Sequence, residues 1–286
     1  PNYNNVSELK EILEQNGFSM QKKFGQNFLI NSSAREKIVD ALDIKENTSV
    51  WEVGPGLGSM TSILLEKKAN VMAFEIDRGF VSLLQNFFSK EIKENKLYIE
   101  EGDVLKKWKG RAKEMIPERF FGNLPYNIAA TLIAQTIENG IRFEKCVFTV
   151  QKEVAMRMTS KCASEDYSSF SVLCQWAYDV KTIADLPSSY FWPKPNVDSR
   201  AVLFTKKENF PQCKNPSHFI KMQRALFSSR RKTVKNNLTQ FLHNKEQAEI
   251  CLEKCGINPL LRAEVLEIEQ LLKLSDIISE HQNLKA

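Results

Sequence analysis

Long apolar runs, proline- or glycine-rich stretches and histidines are what this sequence has least of, and each shortage excludes something. No segment approaches the roughly 18 consecutive apolar residues of a membrane helix. The opening PNYNNVSELKEILEQNG is polar and acidic and lacks the apolar centre of a secretory signal, so a soluble, cytoplasmic protein with no membrane partner is expected. With 11 Gly and 10 Pro among 286 residues, and 42% hydrophobic against 26% charged, the chain is neither disordered nor fibrous. Six cysteines (Cys146, Cys162, Cys174, Cys213, Cys251, Cys255) are scattered through a chain long enough to build its own core, so reduced thiols are expected. Only Cys251 and Cys255 lie close together, and their spacing suits one helical turn better than zinc; no metal is expected. His218, His243 and His281 fall outside every motif and receive no catalytic role.

Acidic residues are scarce in one place. Between 207 and 240, eight Lys/Arg stand against Glu208 alone, although the chain as a whole carries only +5 and the segment from 241 to 286 is net acidic. A local surplus of this kind points to a polyanionic partner; its bland counterpart is a solvated helix face.

Short apolar runs alternate with amphipathic stretches from about 47 to 204. Val50–Val53, Val71–Phe74, Leu97–Ile99, Phe120–Phe121, Cys146–Val150, Lys181–Ala184 and Ala201–Phe204 read as strands, with helices expected over Met60–Lys68, Phe80–Phe88 and Ala129–Ile137. The rhythm is that of an α/β fold: a mostly parallel seven-stranded sheet, closed by an antiparallel edge hairpin across the loop LPSSYFWPKPNVDS, which has no room for a helix. Beyond Asn209-Phe210-Pro211 strand signals stop. Residues 216–242, 245–255 and 264–280 are helical in pattern, with Gly256 and Pro259 as breakers. Two domains are expected, 1–206 with an N-terminal segment 1–30, and a small all-helical domain over 207–286.

Glu52-Val53-Gly54-Pro55-Gly56-Leu57-Gly58-Ser59 follows an apolar strand and opens a helix, so backbone can approach a ligand at the helix N-terminus. Ser59 stands where a dinucleotide fingerprint needs Gly or Ala, and no Gly-Lys-Ser/Thr follows, which excludes a triphosphate-binding loop. Glu75 ends the next strand, where an acid can accept ribose hydroxyls, and Asp103 ends the third, where one could take an adenine amino group. One glycine turn and two acids, with no Lys or Arg to balance a pyrophosphate, suit an adenosine-bearing ligand with little phosphate. The fourth strand runs into Gly122-Asn123-Leu124-Pro125-Tyr126-Asn127. An Asn oxygen and a neighbouring backbone carbonyl can accept both hydrogens of a planar exocyclic amine while Tyr126 stacks on the base. Methyl transfer from a sulfonium needs chiefly that alignment, because the leaving group is neutral.

Gly25-Gln26-Asn27-Phe28-Leu29, EVGPGLG, FEID, EGD, GNLPYNI, Gln151-Lys152-Glu153-Val154-Ala155 and FWPKPNVDS, in this order, closely resemble the S-adenosylmethionine-dependent rRNA adenine N6,N6-dimethyltransferases over about 22–268. The resemblance implies a Rossmann-like methyltransferase domain, a small helical C-terminal domain, S-adenosylmethionine as cofactor, and transfer of two methyls to each of two adjacent adenines near the 3′ end of 16S rRNA in the small (30S) subunit. It implies cofactor contacts from Asn27, Leu29, Gly54, Gly56, Glu75, Ile76, Asp103, Val104 and Asn123. Asn123, Leu124 and Tyr126 would hold the adenine, with Phe191 on its other face; Phe191 also stands in a Pro-rich loop, where an exposed ring is hard to explain by packing. Leu124, Phe227–Leu238 and Cys255–Glu264 resemble the housekeeping small-subunit (KsgA-type) enzymes rather than the 23S rRNA enzymes of macrolide resistance; Ser59 and Trp192 sit where variation is expected. A ribosome-assembly factor acting mainly by binding immature small subunits is the second reading. A DNA adenine methyltransferase is disfavoured because such enzymes usually carry an acid where Asn123 stands. A monomer is expected. For RNA binding the candidates are Lys221, Arg224, Arg230, Arg231, Lys232 and Lys235, with Phe227, Val234, Leu238 and Phe241 forming the docked stripe of one continuous helix and Arg224, Arg231 and Lys235 a neighbouring solvent stripe.

Overall fold

The computed structural model describes residues 1–18 and 27–283, apart from the side chains of Tyr126, Asn127 and residues 282–283. The chain divides into two compact units, one of Pro1–Ile133, Ile141–Ala155 and Val180–Lys206, the other of Ala134–Gly140, Met156–Asp179 and Lys207–Ala286. The units do not follow a single cut in sequence, although the last crossing falls at Lys206, where the final strand ends. Among the described residues no helix is long and apolar enough to cross a membrane.

In chain order the elements are α1 (Val6–Gln15), β1 (Phe28–Leu29), α2 (Ser32–Leu42), β2 (Ser49–Val53), α3 (Ser59–Glu66), β3 (Asn70–Glu75), α4 (Arg78–Phe87), α5 (Ser89–Lys93), β4 (Leu97–Glu101), α6 (Val104–Glu114), β5 (Arg119–Asn123), α7 (Tyr126–Glu138), β6 (Lys145–Gln151), α8 (Lys152–Thr159), α9 (Ser169–Ala177), β7 (Tyr178–Leu186), β8 (Phe191–Trp192), β9 (Ser199–Lys206), α10 (Pro216–Leu226), α11 (Val234–Leu242), α12 (Lys245–Cys255) and α13 (Ile268–Asn283).

Seven strands form one sheet in the order β4-β3-β2-β5-β6-β9-β7, and every strand expected from the sequence is among them. The four pairings from β4 to β6 are parallel and β6–β9 is antiparallel, so the sheet is mixed at one end only. The chain builds outward from β2 to β3 and β4, then crosses back to place β5 on the other side of β2. That reversal opens a crevice at the carboxyl ends of β2 and β5, the place where open α/β sheets bind ligands.

The sheet is apolar on both faces because helices cover both. On one face Trp51 lies 5.2 Å from Phe74, 6.4 Å from Phe120 and 5.8 Å from Phe143, and Phe148 links Phe120 to Phe204 at 5.2 and 5.3 Å. These aromatic pairs, mostly edge to face, each add about 0.5–1.5 kcal/mol beyond area burial. On the other face Val50, Val71, Ala73, Phe121, Val147 and Leu203 meet Ile38, Val39 and Leu42 of α2 and Met60 and Leu64 of α3. Asn31 starts α2 by accepting the Ala34 N–H, and Asp43 ends it in the left-handed region.

Two short strands escape sequence detection. β1 pairs antiparallel with β8, Leu29 opposite Phe191, and this ties the N-terminal segment to the loop before β9. Phe191 is therefore not an exposed loop ring. It is 4% exposed and packs in the core cluster with Leu29. Upstream, α1 packs Leu9 and Leu13 with Phe28, Leu57, Phe80 and Leu83.

In the second unit the expected helix over 216–242 is two helices. α10 ends at Leu226 and α11 begins at Val234 with Thr233 as N-cap. The buried Asn237 amide donates to the Leu226 and Ser229 carbonyls, 2.8 and 3.1 Å away, satisfying acceptors that an uninterrupted helix would have paired along its axis. Arg230, Arg231 and Lys232 consequently lie in the connection, and the single apolar stripe with a neighbouring Arg224–Arg231–Lys235 stripe does not form. Gly256, at φ 70°, ends α12 as its sequence position suggests. Trp176 anchors this unit between Phe210 and Phe219, and its indole N–H donates to the Pro211 carbonyl at 2.6 Å.

Candidate active site

A cavity of about 510 Å³ lies at the carboxyl ends of β2, β3, β5 and β6. Parallel register fixes what reaches it: Val53 is level with Phe74 and Gly122, Glu75 with Glu101, and Asn123 with Thr149. The residues immediately beyond these positions therefore project into one space. Asn27, Leu29, Gly54, Gly56, Glu75 and Ile76 line it, as do Asp103, Val104, Asn123, Leu124 and Phe191. Tyr126 begins α7 beside the cavity, and its side chain lies outside the described ones, as do Gly25 and Gln26 altogether.

The glycine turn is shaped for close approach. Gly54 and Gly56 have φ of 71° and 56°, which L side chains rarely adopt, and a Cβ on Gly56 would stand 2.6 Å from the Phe28 ring. From behind, the Tyr3 hydroxyl donates to the Leu57 carbonyl at 2.9 Å, and the buried Arg35 donates to the Ser59 carbonyl at 3.3 Å and to the Asn4 side chain.

Glu75 is 5% exposed and both its oxygens are engaged, Oε2 accepting the Gly56 N–H at 3.0 Å and Oε1 the Asp77 N–H at 2.9 Å. Burial raises its carboxyl above the ordinary range, and the two backbone donors oppose that rise. Each oxygen retains further lone pairs for a ligand hydroxyl. Asp103 caps α6 by accepting the Leu105 N–H at 2.9 Å, so it holds a helix end as well as lining the cavity.

Asn123 is held on two sides. Its Nδ2 donates to the Asn27 carbonyl at 2.9 Å, and its Oδ1 accepts the Thr149 hydroxyl at 2.5 Å. Thr149 escapes a reading of the sequence, because a β-branched residue inside an apolar strand looks like an ordinary strand former. The signal that could find it is register, since it stands opposite Asn123.

Glu52 escapes it as well. It is 1% exposed, lines the cavity, and accepts the Thr61 hydroxyl at 2.7 Å. Burial pushes its carboxyl up to about 8; the Thr61 hydrogen bond opposes the shift and the Glu75 charge adds to it. Among the described lining residues the ionisable groups are Glu52, Glu75 and Asp103, with no Lys, Arg or His. Even with the Glu52 carboxyl neutral below about pH 8, a lining that holds carboxyls and no base suits a cation and rejects a polyphosphate.

The basic candidates lie in the second unit and are more balanced than their sequence suggests. Arg224 pairs with Glu138, Arg230 with Glu264 at 3.5 Å and Lys235 with Glu249 at 3.3 Å. Lys232 reaches the Gln240 side chain at 3.3 Å, and Lys221 and Arg231 are exposed.

Comparison with known proteins agrees with this geometry. The profile of the family described as Ribosomal RNA adenine dimethylase matches residues 17–280. Ribosomal RNA small subunit methyltransferase A of Treponema denticola is 50% identical, covering 97% of this chain and 96% of that protein. The protein of the same name from Borreliella burgdorferi is 40% identical over 98% and 96%. A dimethyladenosine transferase from Plasmodium falciparum superposes with a TM-score of 0.71 at 26% identity, covering 85% of this chain and 94% of that one. The 23S rRNA methyltransferase ErmE shares the fold, with a TM-score of 0.65 at 21% identity over 88% of this chain and all of that one. A site built from a glycine turn, three acids and an asparagine, inside a chain matched over nearly its whole length, has one reading: the chain belongs to the ribosomal RNA adenine dimethylase family.

Proposed function

We propose that this chain is an S-adenosylmethionine-dependent enzyme that dimethylates N6 of two adjacent adenosines in small-subunit rRNA. The observation that carries the reading is the cavity at the sheet's switch point, which brings three acids and Asn123 together with no basic residue among the described lining ones. The ligand that fits is a cationic nucleoside without phosphates. Gly54 and Gly56 would let its amino-acid end approach the backbone, Glu75 would accept hydrogen bonds from its ribose hydroxyls, and Asp103 would accept one from its adenine amine, with Ile76 and Val104 as apolar lining. When bound, S-adenosylmethionine supplies a methyl on a positively charged sulfur, whose departure leaves a neutral thioether.

The chain's own part is alignment. The Asn123 oxygen and a neighbouring backbone carbonyl accept the two amine hydrogens of a flipped or unpaired adenine, which aims the nitrogen lone pair at the methyl. Leu124 and Phe191 supply apolar surface to the same cavity, and Tyr126 is the candidate stacking ring. Lys221, Arg231 and Lys232 are the candidates for rRNA phosphate contact. A second methylation requires the pocket to readmit N6-methyladenine with its remaining N–H toward an acceptor.

Asn123→Ala tests this directly. The variant should lose most turnover, by about 100-fold or more as for loss of a positioned transition-state partner, while calorimetry still detects cofactor binding. Full turnover in the variant would contradict the proposed role.

A further inference from the structure

The proposed reaction asks the Asn123 amide to present its oxygen, not its nitrogen, to the substrate amine, and something must hold that orientation. The two ends of a carboxamide are nearly the same size, so shape alone does not choose between its orientations and hydrogen-bond partners must. Here both ends are tied. The Asn27 carbonyl can only accept, so Nδ2 must face it at 2.9 Å; Oδ1 then faces β6, where the Thr149 hydroxyl donates to it at 2.5 Å. Thr149 is 1% exposed, and its strand holds it in register between Asn123 of β5 and Ala201 of β9.

We propose that Thr149 is a positioning residue that acts through Asn123 and governs how far methylation proceeds. A carboxamide oxygen has two acceptor sites. With Thr149 filling one, a single site remains, and its direction is set by the hydroxyl. Adenine offers two N–H groups and is steered by two acceptors, the Asn123 oxygen and a backbone carbonyl. N6-methyladenine offers one. The second transfer therefore depends more heavily on the correct aim of that one remaining acceptor site than the first does. This inference rests on the methyl-transfer reading above.

The test compares Thr149→Val, which keeps shape and removes the hydroxyl, with Thr149→Ser, which keeps the hydroxyl. Cofactor dissociation constant, kcat, KM for unmethylated small subunits, and the ratio of N6-methyl- to N6,N6-dimethyladenine after nuclease digestion are measured for each. Thr149→Val should lower kcat by about tenfold, the equivalent of one hydrogen bond, with cofactor affinity unchanged and monomethyladenine accumulating; Thr149→Ser should restore both. If Thr149→Val does not fold, Thr149→Ala is read in the same way. Wild-type kcat and product ratio in the hydroxyl-free variant would overturn the proposal, and so would equal impairment of Ser and Val, which would mark a packing role. Asn123→Ala run alongside separates the two claims. If it is inactive while Thr149→Val is normal, the positioning role alone fails; if it is fully active, the reading of the site fails.

Discussion

Glu75 shows how one side chain can serve fold and ligand together. Its two oxygens accept the N–H groups of Gly56 and Asp77, so the carboxylate proposed to face a ribose also pins the glycine turn to the end of β3. Glu75→Gln must present an NH2 group to one of those donors, leaving a buried N–H unpaired. The variant should bind S-adenosylmethionine more weakly by about 1–3 kcal/mol in calorimetry; an unchanged dissociation constant would remove Glu75 from the ribose site. Glu52 makes a prediction about pH. Its carboxyl is raised from 4.5 to about 8 in the folded chain, so over that interval the folded protein keeps a proton that the unfolded chain has released. Its contribution to stability is full below pH 4.5 and is lost as pH rises to about 8, with a slope of up to about 1.4 kcal/mol per pH unit. Thermal unfolding across this interval should show a shallower decline with rising pH in Glu52→Gln than in the parent, and parallel curves would show that Glu52 is not protonated there. The contrast between these residues shows what a sequence makes legible. Gly54, Glu75, Asp103 and Asn123 announce themselves because each lies at or just beyond a strand end, whereas Glu52 and Thr149 lie inside strands and show their roles only through burial and register.

The strands of the main sheet are readable from their apolar runs, and the parallel pairing of the early ones from the crossovers between them. β1 and β8 are not, because two residues cannot display a period; what defines them is mutual pairing across the chain. The break between α10 and α11 is hidden for a different reason. Helical spacing continues through 227–233, and the stop comes from the buried Asn237 amide bonding to Leu226 and Ser229, a tertiary interaction. That break changes the expected RNA surface. Arg224, Arg230 and Lys235 have acidic partners, so neutralising Arg224 and Lys235 removes charge that is already balanced. Lys221→Gln/Arg231→Gln/Lys232→Gln should flatten the slope of log affinity against log salt by about 0.7–0.9 for each phosphate no longer neutralised, with cofactor affinity unchanged. Arg224→Gln/Lys235→Gln should leave the slope near the parent value. A triple variant with the parent slope would take Lys221 and the α10–α11 connection out of the RNA interface.

At the scale of the whole chain, the strand order turns back where β5 returns to lie beside β2, and nearly every group assigned a part in the chemistry gathers at that reversal. The acids there favour a positively charged cofactor, while the exposed Lys221, Arg231 and Lys232 are what remains of the basic surplus between 207 and 240 once its other five charges are paired with acids, and they favour a polyanionic substrate. A cavity suited to a cation and exposed basic residues suited to an anion together fit methyl transfer to RNA better than either feature alone would suggest. The central claim is the identity of the methylated base. S-adenosylmethionine with a labelled methyl is incubated with the protein and either small subunits lacking the modification or protein-free 23S rRNA, and modified bases are mapped. Label is predicted on the small subunits alone, as N6,N6-dimethyladenine at two adjacent positions near the 3′ end of the rRNA; label on 23S rRNA, or no dimethyladenine on the small subunits, would contradict that claim.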